Sequence, residues 1–279
     1  MKLDDDNTER YWSLPRIELH GWETGAGAPL IMLHGITSNG RGWDPVSDRL
    51  SHRFRAIKLD QRGHGRSGKP KGAFYSRDDF TGDVAGLIEL LDAGPAVVAG
   101  HSLGARNALA LGAARPELVS AVIAIEFTPF IEDAAMDRLD ERVAGGDYEF
   151  SSLDEIRAYL SDRYPLMPAD AIGRRIRFGY REVDGGGYRP LADGAAMVET
   201  SNGLREDIES ALRNIAIPTM LVRGALSKFV LADTFRRACG LRPDLPAVTV
   251  ADADHYVPEE QPAEIARLID EFTTEKHIA

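Results

Sequence analysis

Short runs of Val, Ile, Leu and Ala recur along this chain, each too short for a helix and apolar on both sides. Residues 30–33, 54–59, 96–99 and 119–125 are of this kind, and 219–222 and 247–250 resume the pattern near the end. A strand with two apolar faces must be covered on both, which is the condition of a central parallel sheet. Residues 17–22 alternate instead, like a half-exposed strand. Helical patterns lie between the runs, at 43–50, 78–91, 103–114 and 262–272. In 78–91, Phe80, Val84, Leu87, Ile88 and Leu91 share one face, and Gly94-Pro95 stops the helix. The alternation predicts an α/β fold with a mostly parallel sheet wrapped by helices.

Between 128 and 214 the pattern changes. Helices are predicted at 152–163 and 168–180, broken by Gly145-Gly146 and Gly185-Gly186-Gly187, with no strand pair of the earlier kind. We read 1–127 and 215–279 as one core and 128–214 as a helical cap inserted between two core strands. An insertion at the carboxyl edge of a parallel sheet lies over the face where such sheets bind ligands.

The 279 residues are ample for a core of this size. A net charge of −11 opposes binding to nucleic acid or to anionic lipid. A small anionic organic substrate in a pocket is compatible with it, because a pocket is governed by its own few charges. Cys239 is the one cysteine, so an internal disulfide is excluded, and it reads as a packed small hydrophobe near a helix end. The start, MKLDDDNTER, lacks the apolar segment of a signal peptide, and no run approaches the roughly 20 apolar residues of a membrane span. The expectation is a cytoplasmic protein with no nucleic-acid or membrane partner; a homodimer is left open.

The chemistry concentrates in a few turns. Gly100-His101-Ser102-Leu103-Gly104 follows the run 96–99 and opens the helix at 103. This is G-x-S-x-G between strand and helix, where a strained turn needs small neighbours to present a nucleophile. Ser102 is therefore the candidate nucleophile, and the Leu103 N–H at the helix start is a natural oxyanion donor. A second donor is expected from the loop after 30–33, at the Ile36 N–H, with Gly35 allowing close approach. His34 reads as architectural. Of the seven histidines, His20, His52 and His277 sit in surface-like contexts, and His34, His64 and His101 in glycine-rich turns. His255, after the last strand, is the candidate general base. The loop after 219–222 reads Arg223-Gly224-Ala225-Leu226-Ser227-Lys228 and carries no carboxylate. Glu126, directly after 119–125, is the candidate acid, with Asp233 the alternative and Asp252 and Asp254 poorly placed by adjacency. The order Ser, Glu, His then follows the chain.

His34-Gly35, the string DQRGHGRS at 60–67, Gly100–Gly104 and Asp254-His255 together resemble the α/β-hydrolase superfamily over nearly the whole length. A narrower resemblance, to the amide hydrolases of bacterial vitamin B6 breakdown, rests on HGITSN (34–39), GHSLGARN (100–107), FTP (127–129), RYP (163–165), PADAI (168–172), VDGG (183–186) and LRPDLP (241–246). It implies the α/β-hydrolase fold, an acid after the sixth strand, no metal or organic cofactor, and hydrolysis of the enamide C–N bond of a small dicarboxylate. The family has aspartate where this chain has Glu126, a difference of one methylene or about 1.5 Å. A dicarboxylate calls for guanidinium partners. Among Arg142, Arg163, Arg174, Arg175, Arg177 and Arg181 of the cap, Arg142 and Arg163 match the family's pocket strings, with Tyr164 as a hydrogen-bond donor. Arg62 and Arg106 flank catalytic loops and read as structural. A carboxylesterase, a C–C hydrolase, a cofactor-free dioxygenase and a ligand-binding receptor remain alternatives on the same scaffold.

Overall fold

The computed structural model describes residues 7–72, 74–144 and 148–278. The first six residues of the acidic start and the Gly145-Gly146 break lie outside these. The first half of the chain runs β1 (Thr8–Leu14), β2 (Ile17–Thr24), β3 (Ala28–Leu33), α1 (Asp44–Leu50), β4 (Phe54–Asp60), α2 (Arg77–Leu91), β5 (Ala96–His101), α3 (Leu103–Ala114) and β6 (Val119–Ile125). Then come α4 (Asp133–Ala144), α5 (Leu153–Arg163), α6 (Ala169–Gly179), β7 (Tyr180–Glu182), β8 (Tyr188–Pro190), α7 (Gly194–Gly203) and α8 (Glu209–Asn214). The chain closes with β9 (Thr219–Gly224), α9 (Ala232–Leu241), β10 (Ala247–Val250), α10 (Val257–Glu260) and α11 (Pro262–Glu275).

Eight strands form one sheet in the order β1-β2-β4-β3-β5-β6-β9-β10. β1–β2 and β2–β4 pair antiparallel, and every other neighbour is parallel. The apolar runs explain why. Leu30, Ile31, Met32 and Leu33 are all fully buried, each worth about 1.5–3 kcal/mol out of water. Ile31 and Leu33 face a core shared with α2, α3, α8 and α9. Leu30 and Met32 face the other core, with α1 and α11. This two-residue period sends alternate side chains into opposite layers. Because β3, β5, β6, β9 and β10 run parallel, the loops that follow them emerge at one edge.

Several local expectations need correction. The strand β1 was not anticipated, because it is an edge strand with only Trp12 buried and a polar sequence. Residues 17–22 are less exposed than their alternation suggests, since His20, Gly21 and Trp22 are also covered. His20 is not a surface histidine. It is fully buried, with Nδ1 at 2.8 Å from Asp60 and Nε2 at 2.8 Å from Glu9. Its carboxylate partners lie 40 and 11 residues away, out of reach of local pattern reading. In the cap, the glycines at 185–187 turn a small antiparallel hairpin, β7–β8, rather than merely breaking a helix. All three take positive φ, which glycine adopts without penalty. Cys239 sits part-buried near the end of α9, and packs against the core. Among the described residues no helix is long and apolar enough to cross a membrane.

Candidate active site

Ser102 stands between β5 and α3 with φ 52° and ψ −112°, a conformation that costs an L-residue about 1–3 kcal/mol. Three glycines make this turn fit. A Cβ on Gly100 would lie 2.2 Å from the Gly104 carbonyl oxygen, and one on Gly104 would lie 2.2 Å from that of Leu33. A Cβ on Gly35 would lie 2.9 Å from His101 Nδ1 and 3.3 Å from Ser102 Cβ, so the loop after β3 passes directly beside the hydroxyl. Ile36, next in that loop, lines the same cleft as Ser102. Leu103 is the first residue of α3, where an N–H has no intrahelical acceptor. His34 does not join them. It is buried, it accepts the Gln61 N–H at Nε2 (3.0 Å), and Nδ1 lies 2.8 Å from the Gly35 carbonyl.

The structure brings Ser102, His255 and Glu126 together from loops 153 and 129 residues apart. His255 Nε2 lies 3.2 Å from Ser102 Oγ, and Nδ1 lies 2.9 Å from Glu126 Oε2. Glu126 is fully buried and adopts φ 59° immediately after β6. It accepts the Gly224 N–H at Oε1 (2.6 Å) and the Ser227 hydroxyl at Oε2 (2.6 Å). With His255 Nδ1–H, three donors converge on this carboxylate, and the bare Nε2 faces Ser102. His101 donates from Nε2 to the His255 carbonyl (2.7 Å), and the His255 ring packs 4.8 Å from Phe229 and 5.2 Å from Tyr256.

Burial sets the electrostatics. It pushes His255 down to about 3, helped by the nearby Arg142 and Arg175 and opposed by Asp254. Burial also pushes the Glu126 carboxyl up to about 8, against the pull of Ser227, Gly224 and Arg223. Burial favours the neutral form of each group, while the Gly224 N–H, the Ser227 hydroxyl and His255 Nδ1–H stabilise the carboxylate. With the ring neutral and its proton held on Nδ1 by Oε2, Nε2 is free to take the proton of Ser102.

The cleft over Ser102 has a volume of about 340 Å³, with Leu139, Arg142, Arg163, Tyr164 and Tyr256 in its walls. A smaller chamber of about 80 Å³ adjoins it, sharing Arg142, Arg163 and Tyr164. Arg142 reaches Tyr256 Oη at 3.3 Å, and its Nε is buried without a partner among the described residues. Arg163 donates to the hydroxyls of Tyr164 and Tyr159, both at 3.1 Å. Among the described residues neither guanidinium meets a carboxylate. Burial would raise the Tyr164 phenol, but Arg175, Arg142 and Arg163 hold it down at about 8.

The other cap arginines are engaged elsewhere. Arg174 pairs with Asp170 at 2.7 Å, Arg177 stacks on Phe178, and Arg181 is exposed on β7. Arg175 is buried against Glu259. Arg62 forks onto Asp83 at 2.7 and 2.5 Å, and Arg106 donates to the Gly203 carbonyl at 2.7 Å. Asp233 is exposed on α9 beside Arg236, far from these groups in role. Asp254 accepts the Lys228 N–H. Ser227, Gly224, Tyr256 and the Arg175–Glu259 pair were not singled out from the sequence. Ser227 carried a signal, since the loop lacking a carboxylate must serve the acid in another way. Among the described residues no group of three or more His, Cys, Asp or Glu could hold a metal ion.

Comparison with known proteins agrees with this architecture. Residues 30–268 match the model of the alpha/beta hydrolase family. The chain is similar to 2-(acetamidomethylene)succinate hydrolase of Mesorhizobium japonicum, at 46% identity over 96% of each chain. It is also similar to an esterase of Mycobacterium tuberculosis, at 28% identity over 88% of this chain and 83% of the other. The crystal structure of E-2-(acetamidomethylene)succinate hydrolase superposes with a TM-score of 0.93, at 46% identity, covering 96% of this chain and 99% of that one. The strand–elbow–helix turn, the parallel sheet and these likenesses lead to one conclusion: the chain belongs to the alpha/beta hydrolase family and is a hydrolase.

Proposed function

We propose that this hydrolase cleaves the amide bond of E-2-(acetamidomethylene)succinate or a close analogue. With two waters the products are acetate, ammonia, carbon dioxide and succinic semialdehyde. One observation carries the reading: two half-buried guanidiniums, Arg142 and Arg163, face the cleft of Ser102 and meet no carboxylate among the described residues. A guanidinium held away from water favours a bidentate carboxylate partner. The likeness to the Mesorhizobium japonicum enzyme supports the identity of that partner.

In this reading Ser102 Oγ attacks the acetyl carbonyl as His255 Nε2 takes its proton. The Ile36 and Leu103 N–H groups hold the oxyanion. His255 returns the proton to the departing nitrogen, and the acetyl-Ser102 ester is hydrolysed by a water that the same imidazole deprotonates. The freed enamine then hydrolyses and loses carbon dioxide in solution. Trapped acetyl on Ser102 supports this covalent route, whereas its absence favours direct attack by water. We also infer a cytoplasmic setting for this hydrolase.

The test compares kcat/KM for the dicarboxylate with that for the uncharged enamide N-vinylacetamide. Each charge-assisted carboxylate contact is worth about 1.5–3 kcal/mol, so two predict a preference of about 10²–10⁴ for the dicarboxylate. Equal rates, or turnover of simple esters alone, would favour a general carboxylesterase.

A further inference from the structure

Arg142 and Arg163, the half-buried guanidiniums of the cleft, do not hold themselves in place. Behind them, α6 of the cap sends Arg175 down to Glu259 of α10 in the core. The two side chains are only 9% and 6% exposed, and they meet as a fork, Nε to Oε1 at 2.9 Å and Nη2 to Oε2 at 2.5 Å. Paired in this way, Arg175 is not available to a substrate carboxylate, unlike Arg142 and Arg163. Its guanidinium carbon lies 4.7 Å from the Tyr164 ring centroid and 4.8 Å from that of Tyr256. The two rings meet edge to face, 4.6 Å apart. Two of the three hydroxyls that contact the guanidiniums of Arg142 and Arg163 are theirs: Tyr256 Oη meets Arg142 and Tyr164 Oη meets Arg163, while Tyr159 Oη makes a further contact with Arg163. One connected path therefore runs from Glu259 through Arg175 to both rings, and from the rings to both pocket cations.

We propose that the Arg175–Glu259 pair is a positioning device for dianion binding: it sets Tyr164 and Tyr256, and through their hydroxyls the spacing of Arg142 and Arg163. The pair touches no reacting atom. It rests on the dicarboxylate reading above, and it adds the residues that make the pocket selective for two carboxylates. A planar guanidinium can fork onto a carboxylate and stack on two rings at once, which an ammonium cannot.

The experiment reads dianion binding without amide turnover. Hydrolysis of the neutral ester p-nitrophenyl acetate is followed with succinate as competitive inhibitor. The variants are Arg175→Lys and the double variant Arg175→Met with Glu259→Met, which removes both charges and avoids an unpaired buried ion. A shift of about 1 Å in a positioned group costs up to about 10²-fold, so the Ki for succinate is expected to rise about tenfold or more in the double variant. The ester KM should stay within about twofold, because an acetyl ester has no use for the guanidinium spacing. Arg175→Lys should raise Ki by about threefold, since it keeps the charge and loses the fork. A succinate Ki unchanged in both variants, or one that rises in step with the ester KM, would overturn the proposal. If the double variant does not fold, Arg175→Lys alone decides, with an unchanged Ki counting against. Wild-type enzyme that succinate fails to inhibit would overturn the dicarboxylate reading itself, an outcome distinct from failure of the variants.

Discussion

Glu126→Gln probes the buried acid with almost no change in shape. The carboxylate accepts at both oxygens: Gly224 N–H on Oε1, and Ser227 Oγ–H and His255 Nδ1–H on Oε2. An amide offers one acceptor and one donor. With its oxygen at the Oε2 position it keeps Ser227 and His255, but its NH2 then points at the Gly224 N–H across 2.6 Å. Two buried donors facing each other cost about 1–3 kcal/mol. With its NH2 at the Oε2 position it satisfies Gly224 and can donate to Ser227, but it forces His255 Nδ1 to become an acceptor. The proton then moves to Nε2, and the imidazole can no longer take one from Ser102. Loss of the correct tautomer in a Ser-His-acid arrangement costs about 10⁴ in kcat, or roughly 5 kcal/mol of barrier. We expect kcat for acetate release to fall about 10³–10⁴-fold in Glu126→Gln, with KM nearly unchanged. Glu126→Asp, shorter by about 1.5 Å, should retain a substantial part of kcat because the Ser227 loop can follow it. Both variants are to be assayed by steady-state acetate release, with thermal melts as the check on folding. A Gln variant that works as well as wild type would remove Glu126 from the mechanism.

Gly35→Ala places a methyl 2.9 Å from His101 Nδ1 and 3.3 Å from Ser102 Cβ, so the oxyanion loop must move. Its kcat should drop about 10²–10³-fold, the cost of one lost oxyanion donor, and an unaltered kcat would place the hole elsewhere. Arg142→Met and Arg163→Met should each raise KM for the dicarboxylate by about 10–100-fold while sparing p-nitrophenyl acetate, as read from full saturation curves. Burial, with Arg142 and Arg175, pushes His255 down, so its neutral, base-competent form persists as pH falls. The imidazole itself, followed by NMR of its ring signals, should therefore take up its second proton below about pH 6.5, the ordinary histidine value, and a midpoint at or above that value would contradict the electrostatic account.

What was legible in the sequence was whatever depends on local pattern. The two-sided apolar runs gave away β3, β5 and β6, and Gly100 and Gly104 marked the elbow because a Cβ on either would strike backbone. Glu126 could be found by elimination, since the loop after β9 has no carboxylate to offer. Long-range chemistry stayed hidden. His20 lies in what reads as a half-exposed strand, and only the fold shows Asp60 and Glu9 closing on it. Ser227 and Glu259 look like ordinary loop and helix residues, and their partners sit 101 and 84 residues away. β1 has too few apolar residues to announce itself, and it forms because β2 offers it a full antiparallel register. The cap hairpin was missed for a related reason: three-residue strands carry almost no periodic signal, and only the glycine turn marks them.

The account depends on Ser102 acting as the nucleophile, with His255 as its base. Replacing Ser102 by alanine removes one hydroxyl from a preformed turn and leaves the His255–Glu126 bond in place. Steady-state acetate release from E-2-(acetamidomethylene)succinate should then fall about 10⁴-fold or more, with no acetyl group detectable on the protein by mass spectrometry. An alanine variant that keeps most of the wild-type rate would contradict the serine-based chemistry and point to a reaction run by the histidine–acid pair alone.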